Sequence, residues 1–283
     1  MTLKEIYLKG KNMLKMSKIA SPSFECTCLF EFCFGITKQQ LIIYPDQTFD
    51  IKDVNKFFDL INRRINGEPL QYILGKWEFM GLPFYVGEGI LIPRDDTEIL
   101  VRETVYRISN IKVPKILDLC SGSGAVSIGI NYLKNDCVIK AVELSQKAIF
   151  YLNKNISINN MNTQISIKKL DILKDYSYFN NNEFDVIVSN PPYIPTNDLK
   201  KLQIEVQMEP QMALDGGKDG LVFYRKILTY WSSKLINNGL LAVEIGINQA
   251  KDVYNLFIEN KFKNIEVIKD INGIDRVILG FKI

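Results

Sequence analysis

The sequence predicts an α/β protein in which a mostly parallel sheet, covered on both faces, follows a helical N-terminal region. Three observations carry this. After Pro114, short apolar runs alternate with stretches of helical spacing, the rhythm of parallel strands joined by crossover helices. Before about residue 66, the apolar positions recur only at helical spacing. Between the two, glycines at 75, 81, 87 and 89 alternate with Phe79, Leu82, Phe84, Val86, Ile90 and Ile92, which suits short strands and tight turns. The expected organisation is a helical domain over 1–70, a β-hairpin linker over 71–95 and a larger α/β domain over 96–283.

In the first region, Leu3, Ile6, Tyr7, Met13 and Leu14 mark one helix, and Ser21-Pro22-Ser23 punctuates it. A second apolar run covers Phe24 to Phe34, and Tyr44-Pro45-Asp46 breaks the pattern again. A third segment, from Val54 to Ile65, stops at Gly67-Glu68-Pro69. In the α/β region the expected strands are Ile116–Leu119, Val138–Val142, Ile165–Ile167, Phe184–Ser189, Leu240–Ile245, Ile265–Ile268 and Val277–Phe281. Helices are expected over 125–133, up to Ile156, near 220–236 and over 249–260.

Composition narrows the chemistry. A formal charge of +3 over 283 residues lacks the phosphate-neutralising excess of a dedicated DNA-binding protein. No run approaches the ~20 apolar residues that cross a bilayer. Lysines at 4, 9, 11, 15 and 18 interrupt anything resembling a signal peptide, so a cytoplasmic location without a membrane partner is expected. Cys26, Cys28 and Cys33 lie among Leu29, Phe30, Phe32 and Phe34 and read as buried apolar fillers in a reducing compartment. With no C-x-x-C pair and no histidine, no metal site is expected. The missing histidine also removes the commonest general base and any Ser–His or Cys–His nucleophile. Whatever the reaction, it must need little proton transfer.

The first strand of the α/β region ends Asp118-Leu119-Cys120-Ser121-Gly122-Ser123-Gly124. In a doubly wound sheet this turn lies at the carboxyl edge, where ligands bind and glycines let the backbone come close. Alone it is weak, since a nicotinamide enzyme or a mere tight turn would explain it equally well. Glu143, closing the second strand about 20 residues further on, stands where an acid grips ribose hydroxyls. It can also be a carboxylate heading a helix capped by Ser145. Together the two features favour a nucleoside ligand, with nicotinamide and S-adenosylmethionine still unseparated.

The fourth strand separates them. Phe184 to Ser189 runs straight into Asn190-Pro191-Pro192-Tyr193. Two prolines cannot continue a ladder, and their fixed φ makes a stiff projecting corner. The Asn190 side-chain oxygen and the Pro191 carbonyl can each accept a hydrogen from a planar NH2 group, with the flat Tyr193 ring beside it. A bland turn capped by Asn190 is the competing account.

These residues resemble the bacterial peptide chain release factor glutamine N5-methyltransferases, a branch of the class I methyltransferases that use S-adenosyl-L-methionine. The likeness extends to Arg63-Arg64, Gly67-Glu68-Pro69-Leu70-Gln71-Tyr72-Ile73-Leu74-Gly75, Glu78-Phe79-Met80-Gly81-Leu82, Leu91-Ile92-Pro93-Arg94, Glu209-Pro210, Gly216-Gly217, Asp219-Gly220-Leu221 and Asp275-Arg276-Val277. It implies a Rossmann-like seven-stranded sheet whose last strand is antiparallel, behind a helical bundle that helps dock the partner. It further implies that Cys120, Ser121, Gly122, Ser123 and Gly124 wrap the methionine end of the cofactor, with Glu143 on the ribose and Asp171 and Ile172 beside the adenine. Asn190, which also borders the cofactor, would bind the target glutamine with Pro191, Pro192 and Tyr193. The implied substrate is the Gly-Gly-Gln loop of release factors. Three departures stand out: Asp95-Asp96-Thr97-Glu98 replaces the usual Pro-Glu-Thr-Glu, Cys120 replaces a common glycine, and Ile172 stands where a larger side chain sometimes stacks on adenine. The rival readings are an adenine-N6 methyltransferase acting on DNA or RNA, since an exocyclic amine fits the same corner, and a nucleoside-binding module without activity.

Overall fold

A computed structural model describes residues 1–283, which form two compact units. The first comprises Met1–Lys76 with Gln203–Met208, and the second Trp77–Leu202 with Glu209–Ile283.

The first unit is helical: α1 (Leu3–Met16), α2 (Pro22–Phe34), α3 (Lys38–Ile43), α4 (Ile51–Ile65) and α5 (Leu70–Leu74). Sequence signals set the starts. Thr2 and Glu5 close a capping box on α1, Thr37 and Gln40 do the same on α3, and Asp50 caps α4. The Ser21-Pro22 break is the start of α2, with proline in the first turn where no backbone N–H is needed. Ile6, Phe30, Phe57 and Ile61 form the core, the Phe30 and Phe57 rings meeting edge-on at 5.6 Å. Cys26 is buried as expected, but Cys28 and Cys33 are only partly covered. Helix α2 is apolar almost all round, whereas only one stripe of it meets α1 and α4, so the sequence alone overstated their burial. Arg64, buried on α4, is held by Glu25 at 2.5 Å and by Glu205 at 3.3 Å.

The second unit opens on a two-stranded sheet, β1 (Lys76–Phe79) and β2 (Leu82–Tyr85), turning on Met80 and Gly81, both at positive φ. The expected strand texture over 72–92 is shorter than anticipated: Tyr72 lies in α5, and the chain is irregular from Val86 to Asp96. There Glu209 fixes the backbone instead of a ladder, accepting from Ile92 N at 2.9 Å.

The main sheet contains β3 (Lys115–Leu119), β4 (Val138–Glu143), β5 (Ile165–Lys169), β6 (Phe184–Ser189), β7 (Leu235–Glu244), β8 (Phe262–Lys269) and β9 (Asp275–Lys282). Its order is β5-β4-β3-β6-β7-β9-β8, parallel throughout except for β9, which is antiparallel to both neighbours. Helix α6 (Thr97–Arg107) leads into β3, helices α7 (Ala125–Leu133) and α8 (Gln146–Ile158) connect β3 to β4 and β4 to β5, and helices Val222–Thr229 and Ala250–Glu259 precede β7 and β8. Strand β7 starts five residues earlier than its apolar run, because Asn237, Asn238 and Gly239 interrupt the pattern at a register shift. Helix α6 has no counterpart among the expected elements; its buried stripe of Thr97, Leu100, Val101 and Thr104 is half threonine. No helix is long and apolar enough to cross a membrane.

Two features position the site. Strands β3 and β6 are neighbours, with Leu119 opposite Ser189, and the strand order reverses direction there. The carboxyl ends of an open sheet at such a reversal diverge and leave a crevice.

Candidate active site

The turn after β3 is built by its own side chains. Ser121 Oγ donates to the carbonyl of Asp118 at 2.9 Å, and Ser127 Oγ donates to Asp118 Oδ2 at 2.5 Å. Asn155 on α8 donates to the Ser123 carbonyl at 3.0 Å and exchanges hydrogen bonds with the Tyr85 backbone, tying turn, helix and hairpin together. Cys120 takes φ +62°, a left-handed conformation that explains why glycine suits this position. Glu143, at the end of β4, reaches back to the turn. Its Oε2 accepts from Gly122 N at 2.8 Å, and its Oε1 from Leu144 N and Ser145 N at 2.8 and 2.7 Å. Ser145 also caps α8, accepting from Ala148 N at 3.3 Å. The helix cap and the oriented carboxylate therefore coexist.

These elements enclose a cavity of about 410 Å3 at the carboxyl ends of the strands, within the ~300–1,000 Å3 of small-molecule sites. Cys120, Gly122, Glu143, Asp171, Ile172, Asn190 and Pro192 line it. Ser121, Ser123, Gly124, Pro191 and Tyr193 do not reach its wall; the first three shape the turn behind it. Leu144, Leu173, Met212 and Phe223 complete the apolar surface. Ile172 is buried on that wall while its carbonyl accepts from Trp231 Nε1 at 2.8 Å, which pins the backbone that carries this aliphatic part of the lining.

The charge of the lining is informative. Glu143, Asp171 and Asp215 contribute carboxylates, and no lysine or arginine takes part. A dinucleotide would bring two phosphates against this field, whereas S-adenosylmethionine brings a sulfonium and an ammonium against one carboxylate. Unlike charges attract more strongly in a partly dry cavity than in water, so the residues fit the cationic nucleoside better than a dinucleotide. The Cys120 thiol, surrounded by Glu143, Asp118 and Asp171, is pushed well above its ordinary pKa, mainly by burial, and stays neutral.

The Asn190-Pro191-Pro192-Tyr193 corner leaves β6 under tight restraint. Gln249 Nε2 donates to the Tyr193 carbonyl at 2.9 Å, and Ile194 bridges to Asp215. A side chain at Gly220, which has φ +75°, would come within 2.3 Å of that same carbonyl, and one at Gly216 within 2.8 Å of the Tyr193 Cα. The glycines at 216 and 220 are thus required by close approach to the corner. Asn190 itself faces the cavity and donates from Nδ2 to Thr97 Oγ1 at 3.1 Å. Arg94 pairs with Glu209, whose carboxyl burial raises above its ordinary pKa. Asp96, one of the two acids replacing the usual Pro-Glu, pairs with Arg276 at 3.0 Å.

Sequence reasoning passed over Thr97, Glu209, Glu244 and Gln249. A signal for Glu244 existed: it closes an apolar strand as Glu143 does. Glu209 was legible only as part of the resemblance, and Gln249 carried no signal, since most of their partners are remote in sequence.

Asp118 supplies a pH prediction. Its carboxyl is fully buried, Oδ1 lacks a partner, and burial raises its pKa from 3.8 to about 7. A raised acid stabilises the fold below its unfolded pKa, and that contribution disappears as pH climbs through the folded value. Asp118→Asn should therefore gain stability over the parent as pH rises from about 4 to about 7, by on the order of a few kcal/mol at ~1.4 kcal/mol per unit, seen as a widening Tm difference that levels off above pH 7. A Tm difference that stays constant between these pH values would show the carboxylate to be ionised throughout.

A sheet of this order, with a crevice that welcomes a cation beside an asparagine–proline corner, defines a class I methyltransferase. A model described as the PrmC N-terminal domain matches residues 5–75, and one described as the methyltransferase small domain matches residues 96–209. A release factor glutamine methyltransferase of Fusobacterium nucleatum subsp. nucleatum is 39% identical, over 98% of this chain and 78% of its own. Another, of Clostridium botulinum, is 37% identical over 100% of both chains. The chain belongs to the release factor glutamine methyltransferase family. The crystal structure of a methyltransferase from Pyrococcus furiosus, 19% identical, superposes with a TM-score of 0.52 over 81% of this chain and 98% of that one, and shows the shared fold.

Proposed function

We propose that this enzyme moves the methyl group of S-adenosyl-L-methionine onto the side-chain amide nitrogen (N5) of the glutamine in the Gly-Gly-Gln loop of peptide chain release factors, in the cytoplasm. The observation that carries this reading is Asn190, which lines an acidic, nucleoside-sized cavity while its own NH2 is committed to Thr97. A planar carboxamide with its nitrogen engaged on one side offers its oxygen on the other.

Glu143 would hold the ribose hydroxyls, because three backbone N–H groups fix its carboxylate and leave further lone pairs toward the cavity. Asp171 and Ile172 would flank the adenine, and the Cys120 to Gly124 turn would border the methionine end. The donor supplies an electrophilic methyl carbon on a positively charged sulfur. An amide nitrogen is a poor nucleophile, since its lone pair is delocalised into the carbonyl. Asn190 Oδ1 and the Pro191 carbonyl would accept its two hydrogens, returning density to nitrogen and aiming it. Such orientation can contribute ~7–11 kcal/mol in favourable cases. As the N–C bond forms the C–S bond breaks, and one amide proton passes to water, so a chain without histidine suffices. Tyr193, half-buried against the core, would brace the corner. The helical unit would serve the docking of the release factor.

Incubation with methyl-labelled S-adenosylmethionine and a release factor, intact or with its loop glutamine changed to alanine, tests the reading. Label is expected in the first and absent from the second. Label on nucleic acid instead would transfer the assignment to an adenine amine.

A further inference from the structure

Glu244, at the end of β7, is 2% exposed, and its Oε2 has no hydrogen-bond partner. Nothing in the proposed chemistry uses it, yet the polar side chains of Thr97 and Asn190 lie near enough to favour its ionised form. The cation that acts on it, Arg276, is already shared by Asp96 at 3.0 Å and Asp270 at 3.1 Å. A buried carboxylate without a cation of its own is costly, and it persists where it serves as an acceptor for neighbouring donors.

The donors form a directed chain. Asn190 Nδ2 donates to Thr97 Oγ1 at 3.1 Å, which leaves the single hydrogen of the Thr97 hydroxyl for another acceptor; Glu244 follows Val243 as Asn190 follows its strand partner Ser189, and brings to this spot a buried carboxylate whose Oε2 is unpartnered. An ionised carboxylate accepts only, so the chain runs one way. Rotating the Asn190 carboxamide by half a turn would set Oδ1 against the lone pairs of Thr97, whose hydrogen is committed elsewhere. The arrangement in which Oδ1 faces the target is thereby selected. We propose that Thr97 and Glu244 are positioning residues for methyl transfer, Glu244 acting as the terminal acceptor that keeps the Asn190 carboxamide from flipping. This rests on the role given to Asn190 above.

The surroundings make the chain sensitive to pH. Glu244 is faced by Asp96 at the start of α6, Arg276 on β9, Tyr193 on the corner and Tyr224, whose hydroxyl donates to the Glu244 carbonyl at 2.9 Å. Burial raises its carboxyl from 4.5 to about 7. Once protonated it becomes a donor itself, the Thr97 hydroxyl is free to turn, and Asn190 loses its fixed orientation.

The test uses the full chain with release factor and saturating S-adenosylmethionine, which removes effects on donor binding. Thr97→Val, nearly isosteric but without the hydroxyl, should lower kcat 10- to 100-fold while the donor Kd measured by calorimetry stays within about twofold. Thr97→Ser should restore most of kcat. In the parent, kcat should fall as pH drops below about 7; in Glu244→Gln it should be low throughout and lack that limb. A parent-like Thr97→Val, or equal impairment of the serine and valine variants, would overturn the positioning role. So would a low-pH limb retained in Glu244→Gln. Should no release factor be methylated at all, the substrate reading fails but the chain is still tested. The 15N-labelled side-chain amide of Asn190, assigned by its loss in Asn190→Ala, should show one proton protected from exchange in the parent and in Thr97→Ser, and not in Thr97→Val. Identical exchange in all three would dismiss the donor chain.

Discussion

Asn190→Ala should reduce kcat by about 10²–10³-fold, the range seen when one preorganised hydrogen-bonding group is removed from a transition state, while leaving S-adenosylmethionine affinity nearly intact. The reason lies in where the side chain sits. It forms one small part of the cavity wall, so few donor contacts are lost, but it is the acceptor nearest the β6 edge from which the target must be aimed. Asn190→Asp provides the stricter comparison, since it preserves volume and replaces NH2 by oxygen. Against Thr97 and the buried Glu244, that oxygen meets acceptors, so Asn190→Asp should be about as slow as the alanine variant. Single-turnover rates at saturating donor, combined with calorimetry, separate the two quantities. A near-normal rate in either variant would remove Asn190 from the chemistry.

The second large effect belongs to Glu143. Glu143→Ala should weaken S-adenosylmethionine binding by about 10- to 100-fold, because hydrogen bonds to an ionised group contribute ~1.5–3 kcal/mol. At saturating donor, kcat should change little. The carboxylate also receives Gly122, Leu144 and Ser145 N–H groups, so some Tm is expected to be lost as those donors turn to water. Glu143→Gln, which can still accept from part of this set, should retain more of the Tm than alanine does. Unchanged donor affinity in both variants would show that the ribose is held elsewhere.

Much of this architecture was legible in the sequence, for identifiable reasons. The main strands are buried on both faces, so apolar runs such as Phe184–Ser189 announced themselves, and the glycine turn and the Asn-Pro-Pro-Tyr corner are stiff local features that chemistry alone can read. What stayed hidden depends on tertiary partners. Helix α6 buries Thr97 and Thr104 beside Leu100 and Val101, which blurs its apolar stripe. Strand β7 extends through Asn237 and Asn238 because β6 pairs with it across a register shift, not because those residues favour strand. Among the residues expected to touch the cofactor, Ser121, Ser123 and Gly124 lie behind the wall, because turn residues alternate between facing outward and stitching the turn together. Thr97 and Glu244 are 147 residues apart in the chain, and only the fold brings a threonine at a helix start near a carboxylate at a strand end.

The corner after β6 carries a last consequence. With consecutive pyrrolidine rings, a carbonyl tethered by Gln249 and two bare backbones packed beneath it, it has almost no freedom left to surrender when a guest arrives. The disorder that a pliant loop would give up in every catalytic cycle is given up once, as the polypeptide folds. A receptor that cannot adapt passes the burden of fitting to its visitor. The guest must bring its planar NH2 group already aimed, and bulk beside that group would be turned away without any clash designed for the purpose.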